Sequence, residues 1–101
     1  MFLLTTLGAD TDATSFARTL VEEKLAACVS VLPPMISVYR WKGAIEDARE
    51  QQLLIKTTAA HIPALEDRFR TIHPYELPEF VVMRPAEVSR MYREWVVEST
   101  T

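Results

Sequence analysis

The chain has 101 residues, a single cysteine and a formal net charge of −3. About half of it is apolar and a quarter is charged, which fits one soluble globular domain over residues 1–101. The basic residues are scattered and form no stripe with interleaved aromatics, which argues against a nucleic-acid partner, and no apolar run is long enough to span a bilayer.

The opening run "MFLLTT" is short, apolar and β-compatible, and predicts a buried first strand. It has no charged region before it, so it does not read as a signal peptide. Gly8, Asp10 and Asp12 supply turn and N-cap chemistry. Ala13, Phe16, Ala17, Leu20 and Val21 then recur at helical spacing, which predicts an amphipathic helix over roughly 12–25.

"AACVSVL" predicts a second strand, broken by Pro33-Pro34, which remove two backbone donors. Cys28 lies among small apolar neighbours and reads as a structural thiol, in keeping with a reducing cytoplasm. "MISVYRW" resumes extended structure. Alternation sets Ile36, Val38 and Arg40 on one side, and Ser37, Tyr39 and Trp41 on the other. A turn follows at Gly43. By local propensity "AIEDAREQQLLIKTT" splits into a helical first half and a strand-like second half; its rival is one long hairpin strand with a polar tip.

Ile62, Leu65, Phe69 and Ile72 predict a second helix, with Pro63 tolerated in its first turn. "HPYELPE" ends it, because Pro74 and Pro78 disfavour helical geometry at the residues before them. "FVVMRP" predicts another strand, and Val88, Met91, Tyr92, Trp95 and Val96 a C-terminal helix. The fold class expected is α+β: a ferredoxin-like βαββαβ arrangement with an added C-terminal helix. Helices then cover one face of an antiparallel sheet. The other face needs a cover that a chain this short does not provide, and a second subunit is the expected source.

Candidate chemistry gathers in the proline-bracketed loop. His73 is open to three roles: metal ligand, acid/base group, or a helix-terminal cation. Glu76 and Glu79 offer either a cation site or solvated loop charges. Tyr39 and Trp41 share a face and either line a pocket or pack at an interface. Lys56, within the apolar "LLIKTT", needs a partner; Glu46, Glu76 or Glu79, from this chain or another subunit, are the candidates. No phosphate-binding glycine loop, paired-cysteine motif, zinc-protease motif or serine-hydrolase elbow is present. No catalytic residue is assigned, since an enzyme would have only His73 and the glutamates to work with.

Taken together, "LVEEKLAACVSVLPPMISVYRWKGAIED", "LLIKTT", "HPYELPE" and "YREW" resemble the CutA family of divalent-cation tolerance proteins, over about residues 1–98. The resemblance implies a ferredoxin-like subunit similar to the PII signalling proteins, and a tight homotrimer whose long hairpins pair between chains. It implies one long strand from Ala44 onward, against the propensity split. It implies a role in the response to divalent metal ions such as copper. Tyr39, Trp41, Glu46, Lys56, His73, Tyr75, Glu76 and Glu79 match recurrent family positions that gather in a cleft near the subunit interface. Tyr39, Trp41, Glu46, Lys56 and Tyr75 are expected to shape that cleft, and His73, Glu76 and Glu79 to hold a Cu or Zn ion. Family members described as copper binders can carry a cysteine on the first strand and a pair of histidines before the "PY"; here Thr5 and Ile72 stand in those places. A thiolate–imidazole copper site therefore does not carry over. The alternative is a PII-like signalling or structural trimer that binds a partner or a small anionic metabolite.

Overall fold

A computed structural model describes residues 1–101. Strand β1 (Phe2–Gly8) leads to helix α1 (Ala13–Glu22), then to strands β2 (Cys28–Val31), β3 (Met35–Trp41) and β4 (Ala44–Lys56). A 3-10 turn (Ala59–His61) enters helix α2 (Ile62–Ile72), followed by strand β5 (Val81–Met83) and helix α3 (Arg90–Ser99). All pairings are antiparallel, in the order β2-β4-β1-β5, with β3 also on β4.

Local chemistry explains most boundaries. Asp12 caps α1 by accepting the Ser15 N–H at 3.0 Å. The helix ends three residues before the expected position because Lys24 turns into the left-handed region (φ 60°). Leu25 N–H then bonds Leu20 C=O, and Lys24 N–H bonds Val21 C=O, both at 3.0 Å. This is a Schellman close, with lysine where glycine is usual. Pro63 sits in the first turn of α2, and His73 leaves the helix in an extended conformation just before Pro74.

The propensity split of residues 44–56 does not survive. All thirteen residues form one strand, because each is paired: Leu53–Lys56 with β2, and Ala44–Glu50 with β3, while β1 pairs the stretch from Glu50 to Lys56 on the other side. Ladder pairing overrides the helix-forming side chains of "AIEDARE". The β3–β4 hairpin turns in two residues, Lys42 (φ 49°) and Gly43 (φ 82°), as a tight primed turn requires. Its free arm makes the subunit elongated, 45 × 27 × 24 Å.

Pro33-Pro34 have a larger effect than breaking a ladder. Val31 opposes Leu53 and Met35 opposes Glu50, so residues 32–34 face only 51–52. That is a bulge of one extra residue. Because strand side chains alternate, one extra residue reverses the faces of everything after it. Relative to Val31 the faces are switched, and pairing opposite β4 puts Met35, Ser37, Tyr39 and Trp41 on the same face as Glu46 and Glu50.

The core lies between the sheet and the first two helices. Leu3 and Leu7 of β1, Leu53 and Ile55 of β4, Phe16 and Leu20 of α1, and Leu65 and Phe69 of α2 are its main members. The opposite sheet face has no helix. Phe2, Leu4, Cys28 and Leu54 are half-buried there, and Val81 and Met83 are exposed. The free arm also exposes Ile36, Val38 and Ile45.

Candidate functional site

Strand β5 pairs only with Phe2–Leu4, so the second half of β1 has an unpaired edge. The loop from His73 to Phe80 runs along that edge. The Tyr75 backbone N–H donates to His73 Nδ1 at 3.1 Å, which leaves the ring proton on Nε2. That Nε2–H donates to the Thr6 carbonyl at 3.0 Å, with Thr5 Oγ1 at 3.1 Å. His73 thus replaces a missing ladder donor. Its ring is buried against Phe16, Phe69 and Tyr75, whose ring centroids lie 5.1 to 5.7 Å away. That burial holds its pKa below the usual 6.5, against the opposing pull of the Thr6 hydrogen bond and of Glu50.

Beyond His73 the loop turns over the end of the helix-free face. Tyr75 O–H donates to Glu50 Oε2 at 2.6 Å. Burial, and then this bond to a carboxylate, push the phenol well above its usual 10. Glu50 itself is only 8% exposed. Gln52, two residues on along the same face of β4, donates Nε2–H to Glu79 Oε2 at 2.8 Å and to the Thr5 carbonyl at 2.7 Å. Both ends of the loop are therefore tied to β1 and β4.

Between loop and free arm lies a cleft of about 710 Å³. Thr6, Tyr39, Trp41, Glu46, Glu50 and residues 74–79 line it. Of the residues singled out in the sequence, Tyr39, Trp41, Glu46, Tyr75, Glu76 and Glu79 meet here. Tyr39 stands directly opposite Glu46 in the ladder. Four of the lining side chains are carboxylates and none is a lysine or arginine.

Two residues lie elsewhere. His73 sits behind the cleft wall with both ring nitrogens engaged. Lys56 is six residues along β4 from Glu50, about 20 Å at the rise of an extended strand, and makes no ion pair with Glu46, Glu76 or Glu79 within the chain. No three of the chain's His, Cys, Asp and Glu side chains converge as a metal-binding group. The donor set does not fit a transition-metal centre built by one chain, since an imidazole ligand would have to give up a buried hydrogen bond.

Glu50 was not singled out in the sequence. The available signal was period two: Glu46, Ala48, Glu50 and Gln52 share one face of a continuous β4. Splitting that segment into helix and strand hides it.

The model of the CutA1 divalent ion tolerance protein family matches residues 1–99. The chain belongs to the CutA1 family. The divalent-cation tolerance protein CutA of Thermus thermophilus is 42% identical over 98 residues, covering 97% of this chain and 95% of that protein. The human Protein CutA is 41% identical over 88 residues, covering 87% of this chain. Only 49% of the human protein is matched, so the chain spans about half of that relative. The solved structure of the Thermus thermophilus divalent cation tolerance protein superposes with a TM-score of 0.92 at 41% identity, each chain fully covered. The CutA1 fold here is the ferredoxin-like, PII-like one. No helix of this CutA1 chain is long and apolar enough to cross a membrane.

Proposed function

We propose that the chain acts in the cellular response to divalent cations by binding a cation at the acidic cleft of a homotrimer. The observation that carries this is the lining: four carboxylates, three aromatic rings and no basic side chain. Such a cleft concentrates cations and repels anions. Glu46, Glu76 and Glu79, which do not converge closely enough to ligate one ion together, would hold it through its water shell as hard oxygen partners. Tyr39, Trp41 and Tyr75 would form the walls. His73 would act through the loop, holding Tyr75 and Glu76 in position. The same lining argues against an anionic metabolite in this cleft.

The homotrimer is supported by the helix-free sheet face, where Phe2, Leu4, Leu54, Val81 and Met83 have no helix over them, and by the exposed apolar arm. Lys56 projects from that face and would meet its partner across the subunit boundary.

Isothermal titration of Cu²⁺ and Zn²⁺ into wild type, His73→Ala and the double variant Glu76→Gln/Glu79→Gln tests the cation reading. Loss of heat in the double variant supports it. Undiminished binding there would remove the two glutamates, and equal affinities for wild type and His73→Ala would remove His73 as the group that positions the loop.

A further inference from the structure

The cleft holds one group that a hydrated metal ion does not account for. Glu50 is 8% exposed, yet no Lys, Arg or His of the same chain pairs with it. Its single side-chain hydrogen bond comes from a neutral phenol, to Oε2. No side-chain oxygen in the chain is both fully enclosed and unpaired, so Oε1 keeps some access to solvent, and the cleft is the space that Glu50 lines. Its negative charge is thereby offered to a cation that enters the cleft.

The walls say which kind of cation. The cleft is far larger than a bare ion, and its volume lies within the range of about 300–1,000 Å³ typical of sites for small organic molecules. Tyr39 and Trp41 stand on the arm, and Tyr75 stands across from them on the loop. Aromatic faces attract organic ammonium groups, which carry one charge and shed water at lower cost than a small divalent ion, which keeps its water shell. Trp41 already receives such a group: the Lys42 ammonium lies 5.7 Å from its ring centroid. Metal-type convergence of three donors is absent.

We infer that the cleft binds an organic ammonium compound, its charged nitrogen directed at Glu50 and its apolar part against Tyr39 and Trp41. This rests on the cation reading of the cleft and narrows it to a chemical class. Glu46, Glu76 and Glu79 steer the ligand from the rim, and Glu50 fixes its charged end.

Three probes of one shape and different charge test it: benzylammonium, benzyl alcohol and benzoate, with zinc chloride as a fourth. Each is titrated into the full chain by isothermal calorimetry, and in chains that keep Trp41 its indole N–H is also followed by NMR. Benzylammonium is expected to bind about tenfold or more tighter than benzyl alcohol, as a charge-dependent contact requires, and benzoate not at all. Glu50→Gln is expected to remove most of that difference. Trp41→Leu, on the free arm and away from the core, is expected to weaken benzylammonium without disturbing the fold, which guards against a folding defect in the Glu50 variant. Equal binding of benzylammonium and benzyl alcohol, with zinc still bound, would overturn the ammonium assignment and leave the cation reading. Binding of benzoate alone, or of neither benzylammonium nor zinc, would overturn both.

Discussion

The Tyr75 hydroxyl donates to Glu50 Oε2 at 2.6 Å, joining the loop after α2 to the middle of β4. This contact closes one end of the cleft. It also gives a buried carboxylate its only side-chain hydrogen bond.

Tyr75→Phe should therefore destabilise the protein by about 1–3 kcal/mol, the cost of leaving a buried acceptor without its donor. Urea unfolding followed by circular dichroism measures this. Glu50→Gln keeps an acceptor for the phenol and removes the charge, so it should cost less than Tyr75→Phe.

Stability should fall on mild acidification through His73. Its pKa in the folded chain is lowered, first by burial, from the ordinary 6.5. The unfolded chain therefore takes up a proton before the folded one does. The stabilisation is complete above pH 6.5 and is lost as pH falls from there through the lowered folded value. Melting temperatures from pH 8 to 5 should drop more steeply for wild type than for His73→Gln, which has no ring to protonate.

Pro33 and Pro34 should matter to the bulge more than to the face of the arm. Replacing both with alanine keeps three residues opposite two. Deleting Pro34 sets residues 32–33 opposite 51–52 and makes the ladder regular, while the two-residue turn keeps Tyr39 opposite Glu46. In a Trp95→Phe background, Trp41 fluorescence should therefore respond to a cleft ligand in both variants; loss of the response in the deletion alone would show that the bulge sets the face of the arm.

Lys24→Gly should stabilise the chain. Lys24 occupies a left-handed conformation (φ 60°) that costs a side-chain-bearing residue about 1 kcal/mol and glycine little. The lysine's hydrogen bond to the Thr101 carbonyl is exposed, so its loss offsets little of the gain. A higher midpoint in urea is the expected result.

The trimer has its own test. Leu54→Glu introduces a charge into the helix-free sheet face while leaving the core untouched, since Leu54 points away from Leu53 and Ile55. Analytical ultracentrifugation should give about three times the 11.5 kDa chain mass for wild type and a single chain mass for the variant.

Much of this molecule was legible before its structure. The bounds of α2 followed from Pro63 and Pro74, and the start of the first helix from Asp12 and the apolar spacing, which did not foresee the lysine that closes it. Tyr39 and Trp41 were assigned to one face by simple alternation. The strand Ala44–Lys56 was not legible from propensity, because Ala, Glu, Arg and Gln favour helices and only pairing with neighbouring strands makes them extended. Glu50 was missed for the same reason, and Lys56 was drawn toward the cleft because proximity in sequence says nothing of the distance an extended strand covers.

The sequence by itself determined the order of elements, the proline-bounded loop and the kinds of side chain available to a site, because those depend on local backbone preferences and on periodicity. The tertiary structure decided which of them meet. Pairing of β3 with β4 selects the face of the arm, and the extra residue at Pro33-Pro34 takes up the mismatch with β2. The open edge of β1 selects the position of His73, turning an apparent ligand into a backbone partner. Both are consequences of register, which is set by pairing between residues far apart in the chain and has no local signature.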